Sequence, residues 1–471
     1  MKTECITKEI VFGSLGKRKV TGDFDGGRIS SDAGGLLLRE VEKRFGILRR
    51  YSGCFVDHRK QSQVEHSIYS LTSQRVLGLA LGYEDLIDHD ELRHDPLLAV
   101  LCESEDALGK QRKRERDKGF GLAGKSTLNR LELTPVETDG KDRYKRIGVK
   151  PEKIDDLMTD IFLESYRKAP KEIILDVDAT DDPLHGNQEG RFFHGYYGNY
   201  CYLPLYIFSG EHLLCARLRE ADKDASTGTV EEVGRIVRRI RSRWPRVRII
   251  LRGDSGFCRE EIMAWCEQEG VGYVLGLAKN ARLKAEIAEE MAAAQELCEE
   301  TGKAARVFRD FRYKTLKSWS RDRRVVGKAE HLAGGANPRF IVTSLSPEEF
   351  DARCLYEDLY CARGEMENRI KEQQLFLFAD RTSCHEMQAN QLRLYFSSIA
   401  YILMHALRRV GLAGTELSTA QCDTIRLKLF KIGALIRFSV RRIRIAFSES
   451  YPYSKLFRQV IENLRKIPIR V

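Results

Sequence analysis

No stretch of this 471-residue chain reaches the roughly 20 consecutive apolar residues that span a bilayer. The opening MKTECITKEIVFGSLGKRKV lacks the apolar centre of a secretory leader. The expectation is a protein that is neither secreted nor membrane-embedded, working in the cytoplasm. Its twelve cysteines form no CxxC pair, and none shares a short window with histidine at zinc-ligand spacing. Zinc sites and a disulfide framework are thereby set aside, leaving reduced core thiols. Internal repeats and low-complexity tracts are absent too.

What is present is length and unevenly placed charge. At roughly 100–200 residues per domain, the chain holds two to four domains and can bury a sizeable core. Lys plus Arg number 79 against 69 Asp plus Glu, a formal +10. From Gln421 to Val471, twelve Lys or Arg face three acids, Asp423, Glu449 and Glu462, so this tail carries nearly the whole surplus. A phosphate backbone suits such a segment. A solvated amphipathic surface is the plainer alternative. Within it, IRLKLFKIGALIRFSVRRIRI alternates cations with apolar residues, as paired strands or a helix pair with outward cations would.

Along the chain, a Gly-rich start leads into two helical patterns, LLLREVEKRFGILRRY and HSIYSLTSQRVLGLALGY, and then the charged GKQRKRERDKGFG. A short helix, STLNRLEL, stops before Pro135. From Lys171 the pattern becomes β-rich. EIILDVDA is one strand, YLPLYIFSG and LLCARLRE form a hairpin around Gly210, and RVRIILRGD and VGYVLGL are two more. Helical TGTVEEVGRIVRRIRSRW and REEIMAWCEQEG separate the later strands. This order of a hairpin meander feeding a parallel crossover unit matches the ribonuclease-H-like fold. Between about Arg282 and Leu345 a helix and three strands, VFRDFRYKTL, RRVVGKAEHL and RFIVTSL, interrupt the core before a last helix, EDLYCARGEMENRIKEQQLFLF.

Acids stand at three telling places. In EIILDVDAT, alternation puts Asp176 and Asp178 on one strand face, so geometry does not separate them. The later position, at the strand end, favours Asp178; a turn-capping aspartate is the alternative. Asp254 closes RIILRGD, and carboxyl ends of strands are where open α/β sheets place ligands. On the last helix, Tyr360, Arg363, Glu367 and Lys371 step by three, four and four residues and form one stripe, with Glu365 turned away. Beside it Leu359, Ala362, Met366, Ile370 and Leu377 would bury against the sheet. A plain surface ladder would look the same in isolation. Combined with the two aspartates, Glu367 completes three carboxylates able to hold two Mg²⁺ ions roughly 3.5–4 Å apart for phosphodiester chemistry.

A competing motif is GFGLAGKS, Gly119 to Ser126, which satisfies the phosphate-loop pattern of an NTPase. Such a loop must follow a buried strand, and QRKRERDK precedes this one.

With these residues in place, the chain resembles a DDE transposase of a bacterial insertion sequence, of the group-one type with a β-rich insertion. That family's last helix carries Tyr, two residues, Arg, three residues, Glu, six residues, Lys. Tyr360, Arg363 and Glu367 match, while Gln374 stands where the Lys belongs. Lys371, one turn earlier on the same stripe, could supply the charge. The resemblance also covers Asp178 with Thr180, the strand end at Asp254, and the strings GYEDLIDHDELRHDP, STLNRLE, SWSRDRRVV and RFIVTSL.

The resemblance implies a mixed α/β fold with 1–135 as a largely helical DNA-end-binding region. It implies 136–281 as the first part of a ribonuclease-H-like core, 282–346 as the β-rich insertion, 347–410 as the last part with the catalytic helix, and 411–471 as a basic C-terminal region. It implies Asp178, Asp254 and Glu367 as catalytic metal ligands for Mg²⁺, with Mn²⁺ as substitute. Cleavage at terminal inverted repeats and joining of the 3′-hydroxyl ends to target DNA would follow, in a synaptic homodimer associated with the bacterial nucleoid. Tyr360, Arg363 and Lys371 would contact DNA. Trp319 would stack on a base with Arg321, Arg323 and Arg324 on phosphates, unless it packs in the insertion's own small core. The N-terminal region, with Arg75 in its TSQRV helix, is the expected place of inverted-repeat recognition, with no base contact assigned. A nuclease that cuts without joining, or a DNA-binding relative, is the rival reading of the same fold.

Overall fold

The computed structural model describes residues 9–142 and 144–470. The first eight residues of the opening segment, Cys5 among them, lie outside the described residues. The chain divides into two compact units. One comprises the residues up to Gly46, Ser62–Asn129 and those from Leu407 on; the other comprises Ile47–Gln61 and Arg130–Ala406.

The larger unit is built on one mixed sheet. Its elements in chain order are α1 (Pro151–Glu164), β1 (Glu172–Ala179), β2 (Leu205–Ser209), β3 (His212–Arg217), α2 (Thr229–Arg243), β4 (Arg248–Gly253) and α3 (Glu260–Glu269). These continue into β5 (Gly272–Leu277), α4 (Ala288–Thr301), β6 (Ala305–Tyr313), β7 (Arg323–Leu332), β8 (Arg339–Thr343), α5 (Gly364–Leu377) and α6 (Met387–Ala406). The strands lie in the order β3-β2-β1-β4-β5-β8-β7-β6. β1, β4 and β5 run parallel, and β2 is antiparallel to both β1 and β3.

The parallel strands read as nearly unbroken apolar runs because helices and sheet cover both faces. Ile173, Leu175, Val177, Ile249, Leu251, Tyr273 and Leu275 all enter one core cluster. The crossover α2 buries Val233, Ile236, Val237 and Ile240, one helical face, against it. Each such side chain contributes about 1.5–3 kcal/mol by leaving water. The strands expected within 282–346 extend this same sheet: β8 pairs with β5, β7 with β8, and β6 with β7. α4 adds Ala294 to the same core.

Two long helices of this unit have no counterpart among the sequence expectations. α1 starts on Pro151, whose fixed backbone angle suits a first helical residue. α6 is buried at sixteen of its twenty positions, so it has no polar face and no amphipathic period to detect. Among the described residues no helix is long and apolar enough to cross a membrane.

In the smaller unit, the helices Leu36–Phe45 and Ser454–Arg465 pack together, with the Arg44 guanidinium donating to the Leu464 carbonyl at 2.6 Å. The basic tail resolves into paired strands, Ala434–Phe438 and Ile443–Phe447, followed by that second helix. Arg75 is buried, donating to the Glu84 carbonyl at 2.9 Å, so it braces a turn and cannot read bases. Gly119–Ser126 is not a phosphate loop. A short 3₁₀ turn, Glu115–Asp117, precedes it instead of a strand, and Asp90 accepts from the Lys125 backbone N–H at 2.9 Å. The Lys125 ammonium lies 3.4 Å from the same carboxylate, which would repel a phosphate.

Candidate active site

The site is built where β1 and β4 end. Asp176 and Asp178 do share a face, and the parallel register sets Arg252 of β4 beside Asp176. That guanidinium grips the Asp176 carboxylate with two bonds, Nε at 2.5 Å and Nη2 at 2.8 Å, and also donates to the Leu359 carbonyl. Both side chains are buried, a compensated pair with no open coordination.

Asp178, two residues on, meets a different environment. One carboxylate oxygen accepts from the Ala179 backbone N–H at 2.9 Å, and the other lies 3.3 Å from Nη1 of Arg363. Nη2 of Arg363 lies 2.8 Å from the Glu367 carboxylate, so one guanidinium bridges two of the three expected acids. Burial, reinforced by the neighbouring charges of Asp254 and Glu367, pushes the Asp178 carboxyl up to about 6 despite the pull of Arg363.

Asp254 follows β4 and caps the 3₁₀ turn Ser255–Phe257, its Oδ1 accepting from the Gly256 N–H at 2.8 Å. Two glycines make room here. A β-carbon on Gly253 would lie 2.8 Å from Val177 Cγ2, and one on Gly276 of β5 would lie 2.6 Å from the Tyr360 hydroxyl and 2.9 Å from the Ser255 nitrogen. Gly276 thus leaves the space that the Tyr360 hydroxyl and the Asp254–Ser255 backbone border. Burial pushes the Tyr360 phenol above its usual value.

The last helix is not one uniform α-helix. It opens with Ala352–Cys354, widens to a π-turn over Leu355–Tyr360, tightens to a 3₁₀ turn at Cys361–Arg363, and settles into α5. Such π-turns recur at functional sites. Leu359, Met366, Ile370 and Leu377 bury as expected, but Ala362 is exposed, because the change of winding shifts the phase at that turn. Tyr360, Arg363 and Glu367 nevertheless reach the strand ends. Lys371 is exposed, and Gln374 does not stand in for a lysine at the surface. Its amide donates to the Asp181 carbonyl at 3.2 Å and to Asp182 Oδ1 at 3.0 Å. Burial pushes the Asp182 carboxyl well above its usual range. The amide thus meets this buried carboxyl without adding a charge.

The donor set of Asp178, Asp254 and Glu367 is all oxygen, which suits a hard divalent cation, and the Asp178 carboxyl is raised chiefly by burial, with the charges of Asp254 and Glu367 adding to it. The cluster is not closed in this conformation. Among the described residues no three acidic, His or Cys side chains stand at metal-ligating spacing, since Arg363 holds Glu367.

The remaining expected contacts lie elsewhere. Trp319 is buried, edge-on to Tyr313 at 5.9 Å between centroids, with the Arg323 guanidinium 5.6 Å from its ring centre. Arg323 pairs with Glu260 at 2.6 Å and Glu267 at 2.8 Å, tying β7 to α3. Arg324 pairs with Asp310 at 2.5 Å and donates to the Leu345 carbonyl at 2.8 Å. Arg321 is exposed but pairs with Glu267. Trp319 belongs to the main core cluster of the sheet, so it is neither an outward stacking surface nor part of a separate small core of the insertion.

Carboxylates at the carboxyl ends of parallel strands, with a third on a following helix, stand where open α/β sheets place their ligands. The family model described as transposase DDE domain group 1 matches residues 12–469, and the chain belongs to that family. Membership implies an enzyme that cleaves or transfers nucleic-acid strands. No curated protein matches the chain. Among solved structures it is similar to a cryo-EM structure of the piggyBac transposase synaptic complex with hairpin DNA. The two are 13% identical, with a TM-score of 0.40, over 94% of this chain and 87% of that one.

Proposed function

We propose that this protein is a DDE transposase with a ribonuclease-H-like core, cutting DNA at terminal inverted repeats and joining the freed 3′-hydroxyl ends to target DNA. The observation that carries the reading is the convergence of Asp178, Glu367 and Arg363 at the end of β1, with Asp254 close enough to help raise the Asp178 carboxyl. Asp178, Asp254 and Glu367 would hold Mg²⁺, with Mn²⁺ as substitute. Two such cations supply an activated water or hydroxyl and neutralise charge on the leaving oxygen.

The chain's own residues do the rest. Arg363 neutralises Asp178 and Glu367 in the present arrangement, which keeps crowded carboxylates together. Released from them, its planar fork suits a phosphate. Lys371, exposed one turn beyond Glu367, offers a second cation to the backbone of the bound strand. The hairpin Ala434–Phe447 supports DNA as partner: Arg437 and Arg444 are cross-strand neighbours, and Arg441 and Arg442 lie in its turn, all exposed. Like charges placed opposite each other destabilise a hairpin unless an anion relieves them. A synaptic homodimer holding two element ends is the working assembly.

The test is incubation of the purified protein with Mg²⁺, DNA carrying the element's ends and a target plasmid. Wild type should give cleaved ends and joined product, and Asp254→Asn should give neither. Cleavage without joining would favour a nuclease of the same fold. A wild type as inert as Asp254→Asn would defeat the catalytic reading.

A further inference from the structure

Between the end of β1 and the start of β2 the chain makes a small three-stranded sheet of Asp182–Pro183, Phe192–His194 and Asn199–Tyr202. Its hairpin reads FFHGYYGNY over residues 192–200. Large aromatic side chains usually bury most of their surface. Here Phe192 and Phe193 are each 50% exposed, Tyr200 46% and Tyr196, at the tip, 87%.

The register explains what is displayed. Phe193 pairs with Tyr200 and Phe192 with Cys201, so Phe193 and Tyr200 share a face, their rings 5.5 Å apart. Arg191, two residues before Phe193, places its guanidinium 4.8 Å from the Tyr200 ring centre. The hairpin's other attachments hold it to the strand that carries Asp178. Cys201 is buried with Leu203 and Ala221. Asn199 donates to Asp181 at 3.0 Å, and the Tyr197 hydroxyl donates to the Ala179 carbonyl at 3.4 Å. An aromatic face edged by a cation is therefore tethered at the residue next to a candidate catalytic acid.

We propose that the face formed by Arg191, Phe193 and Tyr200, with Tyr196 at its tip, stacks unpaired bases of the DNA strand whose phosphate enters the Asp178–Asp254–Glu367 site. The proposal rests on the transposase reading given above. Aromatic rings interleaved with arginine hold single strands whatever their sequence, because every base has a π-face and every nucleotide a phosphate. Paired bases hide those faces in the duplex stack, so the surface selects strands that have opened. The buried Trp319 offers no such surface.

The test uses the full-length protein and two probes of equal length, a fully paired duplex and a forked duplex with 2-aminopurine at the fork. Anisotropy and 2-aminopurine fluorescence are read together. Wild type should prefer the fork and change the fluorophore's signal. The Phe193→Ala/Tyr200→Ala double variant should lose about tenfold of that preference while its affinity for paired duplex stays. Tyr200→Phe should keep the preference, and Tyr196→Ala, altering a mostly exposed side chain, should lose part of it and serves if the double variant does not fold. Asp254→Asn should keep the preference, which separates stacking from catalysis.

A folded double variant that still prefers the fork overturns the proposal. So does one that loses self-association in sedimentation while its DNA binding is intact, since the face would then be a protein interface. A wild type that cleaves element ends without any fork preference overturns this inference alone. One that binds neither probe overturns the transposase reading with it.

Discussion

Arg252, Arg323 and Arg324 of the sheet unit are buried, each clamped to carboxylates. Arg437, Arg441, Arg442 and Arg444 of the C-terminal hairpin are exposed, and no ion pair among the described residues engages them. The same side chain thus serves two ends. Inside the sheet its own buried charge is matched by a carboxylate, which in the case of Asp176 is buried as well, and the pairs tie strands and helices together. On the hairpin, Arg437 faces Arg444 across the ladder, an arrangement with a cost until an anionic partner arrives. Arg363 stands between these cases, half-buried and shared by Asp178 and Glu367. Under the proposed function, this ion pair is exchanged for a substrate contact.

The largest expected effect is at the site itself. Asp254→Asn should lower the rate of Mg²⁺-dependent end cleavage by about a thousandfold or more, several kcal/mol of transition-state stabilisation, in a gel assay. Its affinity for DNA should be that of wild type. Arg252→Met comes next: stranding Asp176 as an unpaired buried charge should cost about 3–5 kcal/mol in denaturant unfolding. The matching hairpin change, Arg437→Ala, should leave the folding midpoint in place. Comparable losses at both positions would erase the distinction between internal and displayed arginines.

Asp178 provides the pH test. Its carboxyl sits at about 6 in the fold against an ordinary 3.8, so the folded state favours the protonated form. Ionising it costs stability, a cost that grows as pH rises from the ordinary value and is complete above the folded one. Cation binding takes the ionised carboxylate. Mn²⁺ affinity by calorimetry should therefore fall about tenfold per pH unit for the displaced proton below roughly pH 6. Flat affinity across that range would remove Asp178 from the ligand set. The smallest effect is on the hairpin, where each of Arg437→Ala and Arg444→Ala should flatten the salt dependence of DNA binding by about one counterion. An unchanged slope would show that these cations do not meet phosphates.

Much of the sheet was legible because strand periodicity is a local property. EIILDVDA, RVRIILRGD and VGYVLGL become β1, β4 and β5 within a residue or two. The stripe of Tyr360, Arg363 and Glu367 was legible for the same reason, and its phase slip at Ala362 was not, because a π-turn leaves no composition signal. The need for glycine at Gly276 has no local signal, because Tyr360, which borders it, comes from a helix distant in sequence. For Trp319 the resemblance left a stacked base and a packed core both open, because the carboxylates that engage its arginines, Glu260 and Glu267 of α3 and Asp310 of β6, meet them only in the folded sheet.

Alternation along one strand placed Asp176 and Asp178 on a common face, and no further rule of spacing distinguishes them. Their different surroundings come from pairing between strands distant in sequence. The parallel register brings Arg252 to Asp176, and the last helix brings Arg363 to Asp178. Residue order along the chain carries the period of each element. Which charge meets which is a property of the packed sheet, because a carboxylate's ionisation depends on burial and on neighbours that only folding supplies.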